Sequence, residues 1–316
     1  MEIIDAQIHE PRPVRPLGAA YGDDVHLLLG CELAREAMDA VGVDVALMNS
    51  RQEVCDYAVG RYPDRFAGCA LFDSQTEDID GWAAGYRQRP GMLAARVLVV
   101  DWTTGAPTDD FRAGRLEPVF AAAERHRLPV FAMAMGLADE LIPVARAHPE
   151  LTLILDHLGV TSPPSMNTNS DPWTELPAVL ALSQFPNVAV KVSGATALSR
   201  TPYPHPDLWP HLHKLLDAFG PGRLMWGSDF TRLRCAPGTN QRGPREGWAG
   251  LYSDCVSFLR DTTEISPADK AMMFAGTIRR LLRWPPAPPA DLRRDSGATS
   301  SRHAWWRRPT VPSLAL

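Results

Sequence analysis

At 316 residues, with 45% hydrophobic and 22% charged side chains, the chain has the composition of an ordinary soluble globular protein able to bury a large core. A net charge of −5 and a pI near 6.0 argue against a nucleic-acid footprint. Apolar runs stop short of membrane-spanning length and the N-terminus lacks a basic region leading into an apolar stretch, so neither a membrane span nor a secretory signal is expected.

The first predicted strand, Ile3–His9, runs straight into a histidine, and in extended backbone Gln7 and His9 share a face. Two histidines at that spacing would clamp a metal ion. Here one of the pair is an amide, which cannot be deprotonated and is a poor zinc ligand. Further strands are predicted over Asp44–Asn49, Phe66–Phe72, Ala94–Val100, Pro129–Met135, Leu151–His157, Val188–Ser193 and Arg223–Asp229. Helical segments fall over Glu32–Val41, Phe111–His126, Leu137–His148, Pro206–Phe219 and Pro267–Trp284. Eight almost wholly apolar strands alternating with helices predict an α/β fold, a single-domain (β/α)8 TIM barrel spanning residues 1–284. Composition then turns Pro- and Arg-rich without any period, so residues 285–316 are predicted to be a disordered tail.

Loop lengths orient the barrel. Connections from helix to strand are tight, as in Arg127-Leu128-Pro129 and Gly220-Pro221-Gly222. Long Pro-, Gly-, Ser- and Asn-rich segments leave strands 1, 6, 7 and 8, over Glu10–His26, Gly159–Pro172, Gly194–Pro204 and Phe230–Gly247. The strand C-termini are therefore the expected catalytic face. Of nine histidines only His9 and His157 stand there, joined by Asp229 at the end of strand 8. Lys191 and Ser193 alternate with three valines and should point into the barrel, where the lysine needs a counter-charge, expected from Asp229 on the adjacent strand. Asp156, one residue before His157, is expected on the opposite face, tying down a loop or helix end. Asp101 and Trp102 end strand 4. Arg232, with Arg234 in the loop after strand 8, is suited to reading a substrate carboxylate bidentately. Trp226, inside a strand, reads as core packing, whereas Trp102 and Trp248 are placed to line a pocket. The five cysteines are scattered, without a CxxC pair, which fits reduced thiols in a cytoplasmic protein.

Three motifs carry a resemblance. Ile4-Asp5-Ala6 leading to His9, Leu155-Asp156-His157-Leu158-Gly159 and Met225-Trp226-Gly227-Ser228-Asp229 resemble the amidohydrolase superfamily. The nearest branch is the one holding sugar-acid lactonases, pyrone-dicarboxylate lactonase and amino-carboxymuconate-semialdehyde decarboxylase. The resemblance implies a (β/α)8 barrel whose metal-dependent members use a His-x-His pair on strand 1, a histidine on strand 5, often one on strand 6, and an aspartate on strand 8. This chain matches at His9, His157 and Asp229 and departs at Gln7 and at Met133, which takes the strand-5 position.

The expected function is a cytoplasmic hydrolase opening a lactone or similar cyclic ester of a carboxylated small molecule, without an obligatory metal. Asp229 would be the general base, and His157 and His9 would polarise the carbonyl with Gln7 as an added donor. Lys191, Ser193, Asp101, Trp102 and Arg232 are the expected substrate contacts. One alternative is a decarboxylase or amide hydrolase assisted by a single Zn2+ on His9, His157 and Asp229. Another is a barrel that has lost catalysis and binds a ligand or partner. A small molecule is the expected partner, with neither nucleic acid nor membrane, and a homo-oligomer is left open.

Overall fold

Eight parallel strands pair in chain order: β1 (Ile4–Ile8), β2 (Val45–Ser50), β3 (Phe66–Leu71), β4 (Met92–Leu98), β5 (Val130–Met133), β6 (Leu153–Leu155), β7 (Val188–Ser193) and β8 (Leu224–Gly227). Helices lie between them, giving the (β/α)8 barrel expected from the sequence, in a unit of Met1–Trp284. This computed structural model describes residues 1–11, 23–101, 103–161, 171–233 and 251–285, without the side chains of residues 23, 24, 232 and 233. Residues 286–316, expected to be a disordered tail, lie outside the described residues.

Alternation along the strands separates two sets of apolar side chains. Ile4, Val45, Leu47, Ala67, Cys69, Ala94, Phe131, Ile154, Ala189 and Met225 fill the barrel interior, and Ala275, Ile278 and Leu282 of the last helices pack against that set. The residues between them, such as Ile8, Ala46, Val97, Leu155 and Val190, face the helices. Burial on both faces explains why the strands read as apolar runs. The helical prediction over Phe111–His126 divides into Asp109–Arg112 and Glu117–Arg125, because Gly114 between them turns the chain at φ 71°. Among the described residues no helix is long and apolar enough to cross a membrane.

Two irregularities aim the mouth. On β1 the register with β2 shifts between Asp5 and Ile8. Ile4 and Ala6 face the interior, and the shift brings Gln7 into contact with interior residues as well. At the other side of the seam, β8 meets β1 largely through polar groups. Asp229 N–H donates to Gln7 O (2.9 Å), while Ser228 N–H and Oγ donate to the Asp5 carboxylate at 2.8 and 2.5 Å. Burial pushes the Asp5 carboxyl up to about 6, against the lowering effect of the donors from Ser228 and Gln7.

Gly227 makes the close approach possible. A Cβ there would stand 2.9 Å from Gln7 Cβ, 3.1 Å from Gln7 N and 3.2 Å from Ser193 Cβ. Those atoms are backbone or backbone-attached and cannot swing aside. Gly227→Ala is therefore expected to destabilise the barrel by about 1–3 kcal/mol, read as a lower midpoint in urea. An unchanged midpoint would mean that the seam is looser than described.

Candidate active site

The mouth is built from strand ends, and its charges are arranged in two connected groups. Asp156, directly after β6, is completely buried and holds two cations. Arg96 Nε donates to its Oδ2 at 2.6 Å, and Lys191 Nζ lies 2.7 Å from its Oδ1. Although burial alone would raise its pKa, Arg96 and Lys191 hold the Asp156 carboxyl well below the usual carboxylate range. This corrects two expectations. Lys191 takes its counter-charge from Asp156, with no ion pair to Asp229, and Asp156 belongs to the site interior rather than to a loop or helix end.

Asp156 and His157 reach the same site because the chain stops being a strand after Leu155. His157, Leu158 and Gly159 all take left-handed backbone, at φ 51°, 56° and 71°, which curls His157 back over the mouth. Left-handed Leu is uncommon, and such conformations gather where function fixes the backbone. Asp229 sits on a similar bend at φ 54°.

The histidine hydrogen bonds follow from donor counting. Arg96 Nη2 lies 3.3 Å from His157 Nε2, and a guanidinium has no lone pair to offer, so Nε2 accepts. The neutral ring then carries its proton on Nδ1, which lies 3.0 Å from Ser193 Oγ and 3.9 Å from Asp229 Oδ2. Burial pushes the His157 pKa down to about 4, against the raising effect of Asp229 and Asp156. Lys191 donates to Gln7 Oε1, so the Gln7 amide nitrogen faces His9 Nε2 at 2.9 Å. His9 Nε2 lies 3.5 Å from Asp229 Oδ1, and His9 N–H donates to Thr231 Oγ1 at 3.0 Å. Asp229 thus stands between two imidazoles, one near each carboxylate oxygen.

The other expected residues divide. Ser193 ends β7 and touches His157. The Gln7 amide, expected to be aimed at a substrate carbonyl, instead spans Lys191 and His9. Asp101 accepts from Thr103 N–H, Thr103 Oγ and Thr104 N–H, at 2.8, 2.6 and 3.4 Å, and organises its own turn. Those Thr103 donors lower the Asp101 carboxyl pKa. Met133 ends β5 and packs with Val100 and Met135 into an apolar wall. Trp226 is buried in the core as read, its indole N–H donating to Cys255 O at 3.2 Å. Trp102, Arg234, Trp248 and the side chain of Arg232 lie outside the described residues.

Arg96 went unread in the sequence. The available signal was a charge in phase with Ala94 and Leu98 on an otherwise apolar strand, which places a guanidinium on the barrel's inner face.

The donor set fits a divalent metal poorly. The lone pair of His157 is directed at Arg96 and that of His9 at Gln7, while the Asp156 carboxylate is already taken by Arg96 and Lys191. Among the described residues no group of three or more His, Cys, Asp or Glu side chains is arranged to hold an ion.

Residues 4–284 match the family described as Amidohydrolase. Over 215 residues the chain is 32% identical to an L-fucono-1,5-lactonase of Burkholderia ambifaria, covering 67% of this chain and 68% of that protein. Its fold is similar to a Burkholderia multivorans amidohydrolase solved with bound zinc, with a TM-score of 0.66 at 17% identity over 90% of this chain and 100% of that one. It is also similar to a probable 2-pyrone-4,6-dicarboxylic acid hydrolase of Acinetobacter baumannii with citric acid bound, with a TM-score of 0.63 at 15% identity over 90% and 100% of the two chains.

Proposed function

Because the chain belongs to the amidohydrolase family, we propose that it opens a lactone or similar cyclic ester of a carboxylated small molecule, with Asp229 as general base and without an obligatory metal. A sugar-acid lactone is the substrate class that the lactonase relative supports. The observation that carries the reading is the Asp229 carboxylate at the barrel mouth, flanked by His9 and His157, whose lone pairs are turned towards Gln7 and Arg96.

A lactone is an ester, so attack by water needs a proton acceptor and a group to hold the developing oxyanion. Asp229 takes one proton from water as the water oxygen adds to the carbonyl carbon. The ring C–O bond then breaks, and the alkoxide takes the proton back from Asp229, giving a hydroxy acid. Arg96, with its permanent charge and Nη2 already at the rim beside His157, is the group we assign to the carbonyl oxygen. In this assignment neutral His157 and His9 hold the rim in place, and the oxyanion role expected of them passes to Arg96.

The test is hydrolysis of a panel of sugar-acid and dicarboxylate lactones, followed by proton release, before and after exhaustive treatment with a chelator. Turnover of at least one lactone is expected, with kcat unchanged within about twofold after chelation. Stoichiometric zinc that resists dialysis, or activity restored only by a metal, would overturn the metal-free reading.

A further inference from the structure

We propose that Lys191 is a positioning residue that, acting through Gln7, holds His9 in the tautomer with its proton on Nδ1. Lys191 is completely buried and cannot touch a substrate. Its ammonium faces three oxygens: Asp156 Oδ1 at 2.7 Å, Ala6 O at 3.4 Å and Gln7 Oε1. The ring of Phe131 lies beneath, 4.2 Å from Nζ to its centroid. The three ammonium hydrogens therefore each have an acceptor, and one of these acceptors is an amide that can face either way in an otherwise neutral setting.

Beside a fixed cation the amide has one orientation. Its oxygen turns to Lys191 and its nitrogen to His9 Nε2, so Nε2 must accept and the neutral ring keeps its proton on Nδ1. A metal ion ligated by Nε2 would impose the same tautomer. The ammonium, relayed by one amide, thus does for His9 what a bound cation would do, and does so from beneath the site. His157 is set separately, because Arg96 donates directly to its Nε2. The inference rests on the proposed reading only in assuming that His9 serves as a neutral neighbour of Asp229.

The tautomers can be read without substrate, by 15N NMR of the imidazole nitrogens in the full chain, with His9 and His157 assigned by loss of each signal on substitution by Asn. In the native chain both rings should report Nδ1–H. Gln7→Glu places an acceptor opposite His9 while keeping a partner for Lys191, so His9 should switch to Nε2–H while His157 stays Nδ1–H. Lys191→Met releases the amide and should move His9 towards Nε2–H, again without effect on His157. On lactones each change should lower kcat by about 10- to 100-fold with little change in KM, the loss usual when the partner orienting a functional histidine is removed. If Lys191→Met does not fold, Gln7→Glu still decides the matter. Native His9 with its proton on Nε2, or His9 indifferent to Gln7→Glu, would overturn the proposal. A chain with the expected tautomers that hydrolyses no lactone would refute the proposed function and leave this relay standing.

Discussion

Asp229→Asn is expected to lower kcat for lactone hydrolysis by about 1000-fold while leaving the thermal melt within a few degrees of the native chain. The amide is nearly isosteric, and the Asp229 backbone N–H bond to Gln7 O is untouched by the change. What disappears is the ability to take a proton from water between the two imidazoles, 3.5 Å from His9 Nε2 and 3.9 Å from His157 Nδ1. The measurement is steady-state kinetics on whichever lactone the native chain turns over, with the melt run in parallel. Retention of more than about a tenth of native kcat would remove Asp229 from the role of base.

The second large effect falls on stability. Asp156→Asn should cost about 3–5 kcal/mol, because it leaves Arg96 and Lys191 as two buried cations facing one neutral amide. For a barrel of this size that corresponds to a fall in Tm on the order of 10 °C. Adding Lys191→Met should recover part of the loss, since the second change removes one of the uncompensated charges, and non-additivity is the sign that the residues act as one network. Simple additivity of the two changes would show that the network is not coupled as its geometry implies. The pH dependence has a definite sign. The folded pKa of Asp156 lies below the ordinary aspartate value of 3.8, so its contribution is fully present above that value and is lost as pH falls through the folded pKa. The stability gap between Asp156→Asn and the native chain should therefore narrow as pH falls below 3.8, where the carboxylate of the unfolded chain begins to take up a proton before that of the folded chain.

Much of the architecture was legible from pattern alone. The strand predicted at Val188–Ser193 is β7 to the residue, and Phe66–Phe72 and Arg223–Asp229 overrun β3 and β8 by only one or two residues at an end. Parallel strands covered on both faces write themselves as apolar runs, and that signal does not depend on what the strand packs against. The helices were less legible at their ends. Leu137–His148 begins as a 3-10 turn at Ala138–Leu141 and becomes α-helical at Ile142–Ala147, a division that apolar spacing does not encode.

The site was half legible. His9, His157 and Asp229 stand out in the sequence because they fall at the ends of strands, and in the structure the two imidazoles lie on either side of the Asp229 carboxylate. The assignment of Asp156 failed for a specific reason. Period-two alternation puts neighbours on opposite faces, and it ceases to apply where His157 and Leu158 adopt left-handed backbone. Lys191 was correctly pointed inward, yet its partner could not be chosen, because Asp156 and Asp229 follow the two strands flanking β7 and only their distances separate them.

The opening strand draws the division most clearly. Sequence by itself determined that Gln7 and His9 belong at the barrel mouth, because the long loop after His9 marks that strand end, and that the amide weakens any metal clamp there, because an amide keeps its protons. Tertiary structure alone decided what the amide does instead. Its orientation is set by Lys191, 184 residues away in the chain, and the charge of Lys191 is in turn sustained by Asp156. Hydrogen-bond direction in a buried network depends on where the nearest fixed charge lies, and that position exists only once the barrel has closed.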